Sequence, residues 1–68
     1  MRRGTLESDL IQSIGHEHGV LEIEYSDHTI FQYFEVPFAV FKKIVLAKSP
    51  GKLWLSLRDK FKHKEVEN

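Results

Sequence analysis

The 68-residue chain contains no cysteine, and this absence excludes disulfide bridges and thiolate metal ligands. The sequence also lacks an apolar run of the length that a signal peptide or a membrane-spanning helix requires. Both absences favour a cytoplasmic protein that is neither secreted nor inserted in a membrane. There is no internal repeat, low-complexity segment or linker, so we expect one domain over residues 1–68, with flexible termini.

Composition indicates a folded domain with a small core. Apolar residues make up 41% of the chain and charged residues 29%, which is typical of globular proteins. A chain this short buries only about 60% of the surface that it exposes when unfolded. Five Phe, two Tyr and one Trp supply bulky side chains that bury about 150–250 Å² each. The core is therefore expected to be rich in aromatic residues.

The net charge of the whole chain is zero, but acidic residues are concentrated in its first half and basic residues in its second. Residues 1–36 carry two arginines against seven carboxylates, a net charge of −5, whereas residues 37–64 carry eight lysines and arginines against one carboxylate, a net charge of +7. This separation predicts a dipolar surface that attracts a polyanion or a second copy of the chain, head to tail.

The first half of the sequence predicts three antiparallel strands. The second, Val20–Tyr25, is the clearest, because apolar residues alternate along it with glutamates, the pattern of a half-buried strand. Leu10–His16 precedes it through a tight turn at His18-Gly19, where glycine accepts a positive φ. Thr29–Glu35 is the third strand and follows a turn at Ser26–His28.

The loop before the third strand decides which side of that strand is buried, because both of its sides carry apolar residues. A two-residue loop needs positive φ at both central positions, whereas a three-residue loop needs it only at His28. Histidine tolerates one such position. The three-residue loop pairs Ile23 with Phe31 and Leu21 with Tyr33, and directs both aromatic rings into the core; the other loop would turn them outward.

Two helices are predicted after the sheet. Proline suits the first turn of a helix, so the first one spans Pro37–Lys48, with a broad apolar stripe that includes Phe38. Ser49-Pro50 provides the N-cap and first position of a second helix, whose apolar face extends to Phe61. Beyond Phe61 the sequence offers only Val66 for burial, so this tail is expected to fray.

These elements predict an α+β fold in which a three-stranded antiparallel β-meander is followed by two short helices packed on one face. The predicted core is drawn from the second and third strands and from both helices, and consists of Leu21, Ile23, Tyr25, Phe31, Tyr33, Phe41, Ile44, Trp54 and Leu57.

Several short motifs occur in a fixed order, and their spacing is more informative than any one of them. They are Ser8, Ile11 and Ile14-Gly15, then Leu21–Tyr25, Phe31-Gln32-Tyr33, Val36-Pro37, Phe41, Ala47, Ser49, Gly51, Leu53-Trp54, Leu57-Arg58 and Phe61. Over Ser8–Phe61 the chain resembles the KTSC domain, a family named after the C-terminal extension of some lysyl-tRNA synthetases and also found as small stand-alone bacterial or phage proteins. His16 stands where tyrosine is common and His28 where glycine is typical. The resemblance implies no established activity, and its synthetase context suggests nucleic-acid binding.

A catalytic or metal site is not predicted. A catalytic cleft needs a volume that a core of this size can hardly provide. His16 and His18 flank Glu17, but His18 lies in the predicted turn, and a metal site needs three or four ligands in suitable geometry. We therefore expect no enzymatic activity, no metal, no cofactor and no small-molecule substrate.

Nucleic-acid binding is one of two functional hypotheses. It rests on the basic residues of the helical half, which are Lys42, Lys43, Lys48, Lys52, Arg58 and Lys60, with Lys62 beside them. A solvated helical exterior is the alternative reading of these lysines. Phe31 and Tyr33 would form a base-stacking platform only on an open sheet face, where Glu22 and Glu24 would repel phosphate.

Protein interaction or self-assembly is the preferred hypothesis, with another protein or a second copy of the chain as partner. It rests on Val20, Ile30 and Phe34, which the predicted register leaves on the open face of the sheet. An apolar patch on a small domain often marks an interface, and the edges of a three-stranded sheet are also available for pairing.

Overall fold

A computed structural model describes residues 3–66 and contains, in that part of the chain, five strands and two α-helices. The strands are β1 (Gly4–Thr5), β2 (Ile11–Glu17), β3 (Val20–Tyr25), β4 (Ile30–Tyr33) and β5 (His63–Val66). The helices are α1 (Phe38–Leu46) and α2 (Pro50–Leu57), and one 3₁₀ turn covers Arg58–Lys60. Every strand pairs antiparallel with its neighbours in the order β1-β2-β3-β4-β5. The prediction of flexible ends at residues 1–2 and 67–68 lies outside the described residues.

The predicted α+β class is confirmed, but the prediction of three strands is wrong. β1 and β5 extend the meander at its two edges. The expectation that the tail after Phe61 frays is also wrong for residues 63–66, because β5 pairs with β4 over its full length. Backbone hydrogen bonding to a neighbouring strand stabilises this segment, although its own sequence has no apolar alternation.

The β3–β4 hairpin has the register that the loop argument predicts. Leu21 lies opposite Tyr33, and Ile23 lies opposite Phe31. Within the loop only His28 has a positive φ, of 71°, as a three-residue connection requires. The loop therefore fixes which side of β4 faces the core.

The helices cover the face of the sheet that carries these pairs. The core consists of Ile11, Ile14, Leu21, Ile23, Tyr25, Tyr33, Val36, Ile44 and Trp54. The other predicted core residues, Phe31, Phe41 and Leu57, pack against this group and are partly exposed. Trp54 is the largest of the fully buried side chains and contacts the ring of Tyr33 edge-on, with centroids 4.7 Å apart.

A hydrogen-bonded chain of three aromatic side chains joins α2 to the sheet. Trp54 Nε1 donates to Tyr25 Oη at 3.0 Å, and the hydroxyls of Tyr25 and Tyr33 are bonded to each other. Burial, and then the bond to Tyr25, raise the pKa of Tyr33. Each buried polar atom of this aromatic core thus has a partner, as burial requires.

The start of α2 packs closely on the segment before β2. A Cβ atom at Gly51 would lie 2.9 Å from Leu10 Cβ and 3.0 Å from Ser8 Oγ, so only glycine permits this approach. Ser8 Oγ in turn accepts from the N–H groups of Leu10 and Ile11, at 3.2 Å each. Ser49 occupies the N-cap position of α2 as predicted, but its side chain makes no capping bond.

Candidate nucleic-acid interface

The outer side of α1 presents two large apolar side chains around a lysine. Phe38, Lys42 and Leu46 follow one another at intervals of four residues, so they share one side of the helix. Phe38 is 61% exposed and Leu46 is 73% exposed. The prediction that Phe38 belongs to the buried stripe is wrong. It is the first residue of α1, and its ring contacts His16 edge-on, at 5.7 Å, instead of entering the core.

Further exposed lysines lie on both helices and on the segment between them. Five of the six basic residues predicted to bind nucleic acid are exposed, namely Lys42, Lys43, Lys48, Lys52 and Lys60, while Arg58 is half-buried. Within residues 3–66 none of the six forms an ion pair. Leu55 on α2 adds a further exposed apolar side chain, at 45%. We call Phe38, Lys42, Lys43, Leu46, Lys48 and Lys52 the basic helical surface.

Arg58 has a different environment from the lysines. It lines a cleft of about 380 Å³ together with Tyr25 and Phe31. A hydrogen bond with the Tyr25 hydroxyl raises the pKa of Arg58, although a guanidinium is charged near neutral pH in any case. Arg58 therefore shares a cleft with residues of the aromatic core, whereas the lysines are exposed.

The aromatic pair of β4 does not form an open platform for bases. Tyr33 is buried beneath Trp54, and Phe31 is partly exposed. The rings of Phe31 and Tyr33 stack on each other, with centroids 6.2 Å apart, on the side of the sheet that the helices cover. A base would have to displace α2 to reach Tyr33.

The apolar patch predicted on the outer face of the sheet is not exposed as expected. Ile30 is only 7% exposed, because β5 places Val66 directly opposite it on the same face. Val20 and Phe34 are partly buried. The expectation of an open patch around Ile30 is therefore wrong, since it assumed that β4 was an edge strand.

The carboxylates of this outer sheet face are satisfied within the chain. Glu22 is 8% exposed; it accepts from Arg3 Nη1 at 2.7 Å and from Gln32 Nε2 at 2.9 Å. Glu24 accepts from Ser13 Oγ at 3.1 Å. The sequence offered no sign of the Arg3 contact, because only the pairing of β1 with β2 brings Arg3 to this face.

The histidines do not assemble a metal site in the described part of the chain. No group of three or more His, Cys, Asp or Glu side chains there is arranged to hold a metal ion. His16 Nε2 donates to the Val36 carbonyl at 2.7 Å, and His18 is exposed in the β2–β3 turn. Among residues 3–66, no helix has the length and apolar character needed to cross a membrane.

Comparisons with known proteins agree with this architecture. The model of the KTSC domain family matches residues 7–56. The chain belongs to the KTSC domain family. It is similar to the crystal structure of a KTSC domain protein from Yersinia pestis, with a TM-score of 0.92 and 26% identity over 97% of each chain. A comparison with curated protein sequences finds no significant match. The function of the KTSC domain is uncharacterised, so membership establishes the fold but names no partner.

Proposed function

We propose that this KTSC domain is a non-catalytic module that binds RNA through its basic helical surface. The observation that carries the proposal is the row of Phe38, Lys42 and Leu46, in which an exposed aromatic ring lies beside a lysine with no ion-pair partner in the described chain. Lysines that neutralise phosphates release counterions, and an exposed ring stacks on an unpaired base, which contributes about 1–3 kcal/mol.

The distribution of satisfied and unsatisfied charges supports this function. Glu22 and Glu24 accept hydrogen bonds from Arg3, Gln32 and Ser13, so the outer face of the sheet offers little to a basic partner. The lysines of the basic helical surface have no such partners among residues 3–66, which favours a polyanion. The protein-interaction hypothesis keeps less support, because Ile30 is buried. A cytoplasmic location, where RNA is abundant, is part of this proposal.

Fluorescence anisotropy of labelled single-stranded RNA at increasing salt concentration tests the proposal. For single strands, each phosphate contact contributes about −0.7 to the slope of log affinity against log salt. The triple variant Lys42→Ala, Lys43→Ala, Lys52→Ala is therefore expected to flatten that slope by about 2 and to weaken binding at least tenfold at low salt. Phe38→Leu is expected to weaken binding about fivefold, because it keeps the apolar bulk and removes the ring.

A matched control is available on the sheet. Lys64→Ala removes one charge, as Lys42→Ala does, but Lys64 lies on β5 opposite Gln32, away from the helices. We expect Lys64→Ala to change affinity by less than twofold. Absence of RNA retention even at low salt, or parental affinity in the triple variant, would overturn the proposal. If light scattering instead shows a dimer that Leu46→Ser dissociates, and RNA is not retained, the same surface is a protein interface.

A further inference from the structure

A second binding feature lies where β4 ends, beyond the basic helical surface. It is a cleft of about 440 Å³ lined by Phe34, Glu35, Lys60, Phe61 and Lys62. We propose that this cleft holds a single unstacked base of a bound RNA, guanine in preference to the other three, while the lysines contact its phosphates. The inference rests on the proposed function, for which it names the nucleotide that the domain selects.

Two aromatic residues, Phe34 and Phe61, belong to the cleft lining, and backbone bonding links the segments that carry them. The N–H of Phe34 donates to the carbonyl of Lys62 at 2.8 Å, which links the end of β4 to the segment that begins β5. The Phe61 ring stacks on Trp54, with centroids 6.0 Å apart and planes 11° apart, so the core holds it in place. The aromatic ring pairs found among residues 3–66 do not include Phe34. Partly exposed rings beside a cleft bind an unstacked base through its π-face.

Glu35 is held in an unusual backbone conformation beside these rings. Its φ is 56°, in the left-handed region that glutamate rarely adopts. Both neighbours are held, since Phe34 bonds to Lys62, while Val36 is buried and its N–H donates to the Gly19 carbonyl at 2.8 Å. Such outliers often occur at functional sites. Glu35 is exposed and belongs to the cleft lining, so we assign its carboxylate the contact with the bound base.

The carboxylate determines which base fits. An ionised carboxylate only accepts hydrogen bonds, and among the four bases only guanine presents two adjacent donors, N1–H and the N2 amino group, on its Watson–Crick edge. Lys60 and Lys62 supply the phosphate contacts. Both are exposed and form no ion pair with any described residue, Glu35 included. The cleft therefore offers a stacking surface, a pair of acceptors and two phosphate contacts.

Nuclear magnetic resonance titration of the ¹⁵N-labelled full chain with the four nucleoside monophosphates tests the cleft without requiring RNA. Guanosine monophosphate is expected to shift the amide signals of residues 34–36 and 60–62 and to bind at least fivefold more tightly than the other three. Phe34→Leu should weaken that binding at least fivefold, whereas Phe34→Tyr, which keeps the ring, should retain it. Lys64→Ala serves as the control and should change affinity by less than twofold.

Substitutions of Glu35 separate recognition from folding. Glu35→Gln should abolish the preference for guanine, because an amide presents only one acceptor oxygen. Glu35→Gly should abolish it too, while raising the melting temperature by roughly 4 °C, because glycine adopts the positive φ without strain. A preference for guanine that survives both substitutions would overturn the inference.

The outcomes distinguish failure of the cleft from failure of the proposed function. If RNA binds through the basic helical surface but guanosine monophosphate shifts no amide of residues 34–36, the cleft inference is overturned and the proposed function stands. If guanosine monophosphate binds in the cleft but no RNA is retained at low salt, the proposed function is overturned and the cleft is supported as a mononucleotide site.

Discussion

The outer face of the sheet and the basic helical surface both carry charged residues, but they differ in how those charges are used. On the sheet, Glu22 and Glu24 accept hydrogen bonds from three neighbouring side chains, and Glu22 is almost inaccessible. On the helices, Lys42 and its neighbours have no ion-pair partner within residues 3–66. The first set of charges is bonded within the fold, whereas the second is exposed to solvent. A charge count along the sequence does not distinguish these two uses.

The largest effect on stability is expected when Arg3, which contacts Glu22 on the outer face of the sheet, is removed. Arg3→Ala leaves the Glu22 carboxylate buried with only Gln32 as partner, which should lower the free energy of unfolding by about 1–3 kcal/mol. Lys42→Ala should change it by no more than about 0.5 kcal/mol, since Lys42 is exposed and has no ion-pair partner among the described residues. Urea unfolding of the two variants measures both values. Equal effects would mean that the two surfaces do not differ as described.

Arg3→Lys is the matched variant for this comparison. It keeps the positive charge but loses the forked guanidinium, which reaches Glu22 through Nη1 and approaches Glu24 through Nη2 at 3.8 Å. We expect its stability to lie between that of the parent and that of Arg3→Ala. If Arg3→Lys is as stable as the parent, charge alone accounts for the contact.

A second prediction concerns Tyr33, an ionisable side chain that is buried in the core, unlike the exposed lysines of the helices. Burial, together with the bond to Tyr25, raises the pKa of Tyr33. Above about pH 10 an unfolded tyrosine loses its proton, whereas native Tyr33 keeps it, so the unfolded state binds fewer protons and stability falls as pH rises. The contribution is fully present below pH 10. Between pH 10 and 11 the parent should lose about 1 kcal/mol more than Tyr33→Phe does.

Thermal unfolding of both proteins from pH 8 to pH 11 checks this difference. All other side chains are common to both proteins, so their contributions cancel in the comparison. Tyr33→Phe is expected to be about 1 kcal/mol less stable at pH 8, because it loses the bond to Tyr25. If the two profiles run parallel up to pH 11, Tyr33 does not couple ionisation to folding.

The parts of the fold that the sequence predicts are those fixed by local stereochemistry. The β3–β4 register follows from one loop position, His28, because a change of one residue in the loop would turn every β4 side chain to the opposite face. β5 could not be predicted in this way. His63–Val66 has one apolar residue, and its partner strand β4 lies about thirty positions earlier in the chain.

The features of the candidate site likewise fall into those that local sequence predicts and those that depend on tertiary pairing. That Lys42 and Lys43 are exposed follows from helical periodicity, whereas the exposure of Phe38 depends on where α1 begins relative to the sheet. The burial of Ile30 and the contact between Arg3 and Glu22 arise from the edge strands β5 and β1, whose sequences carry no strand pattern. Tertiary pairing overrides local propensity at both edges.

The smallest predicted effect concerns the loop residue on which the register depends. His28→Gly should raise the free energy of unfolding by about 0.5–1 kcal/mol, because glycine adopts the φ of 71° without the cost that a side chain imposes there. The loss of the contact between His28 Nδ1 and Glu24 Oε2, 3.5 Å apart, should matter little, since this histidine is exposed.

Asp27→Gly is the matched variant one position earlier, and it should be destabilising. Asp27 has no positive φ, and its carboxylate accepts from both the N–H and the hydroxyl of Thr29, at 3.0 and 2.6 Å, which also lowers the pKa of Asp27. Chemical unfolding of the two variants at pH 7 gives opposite signs if backbone strain governs the loop. A loss of stability in His28→Gly would show instead that Glu24 needs His28, and that the outer sheet face depends on a contact at its exposed edge as well as on Arg3.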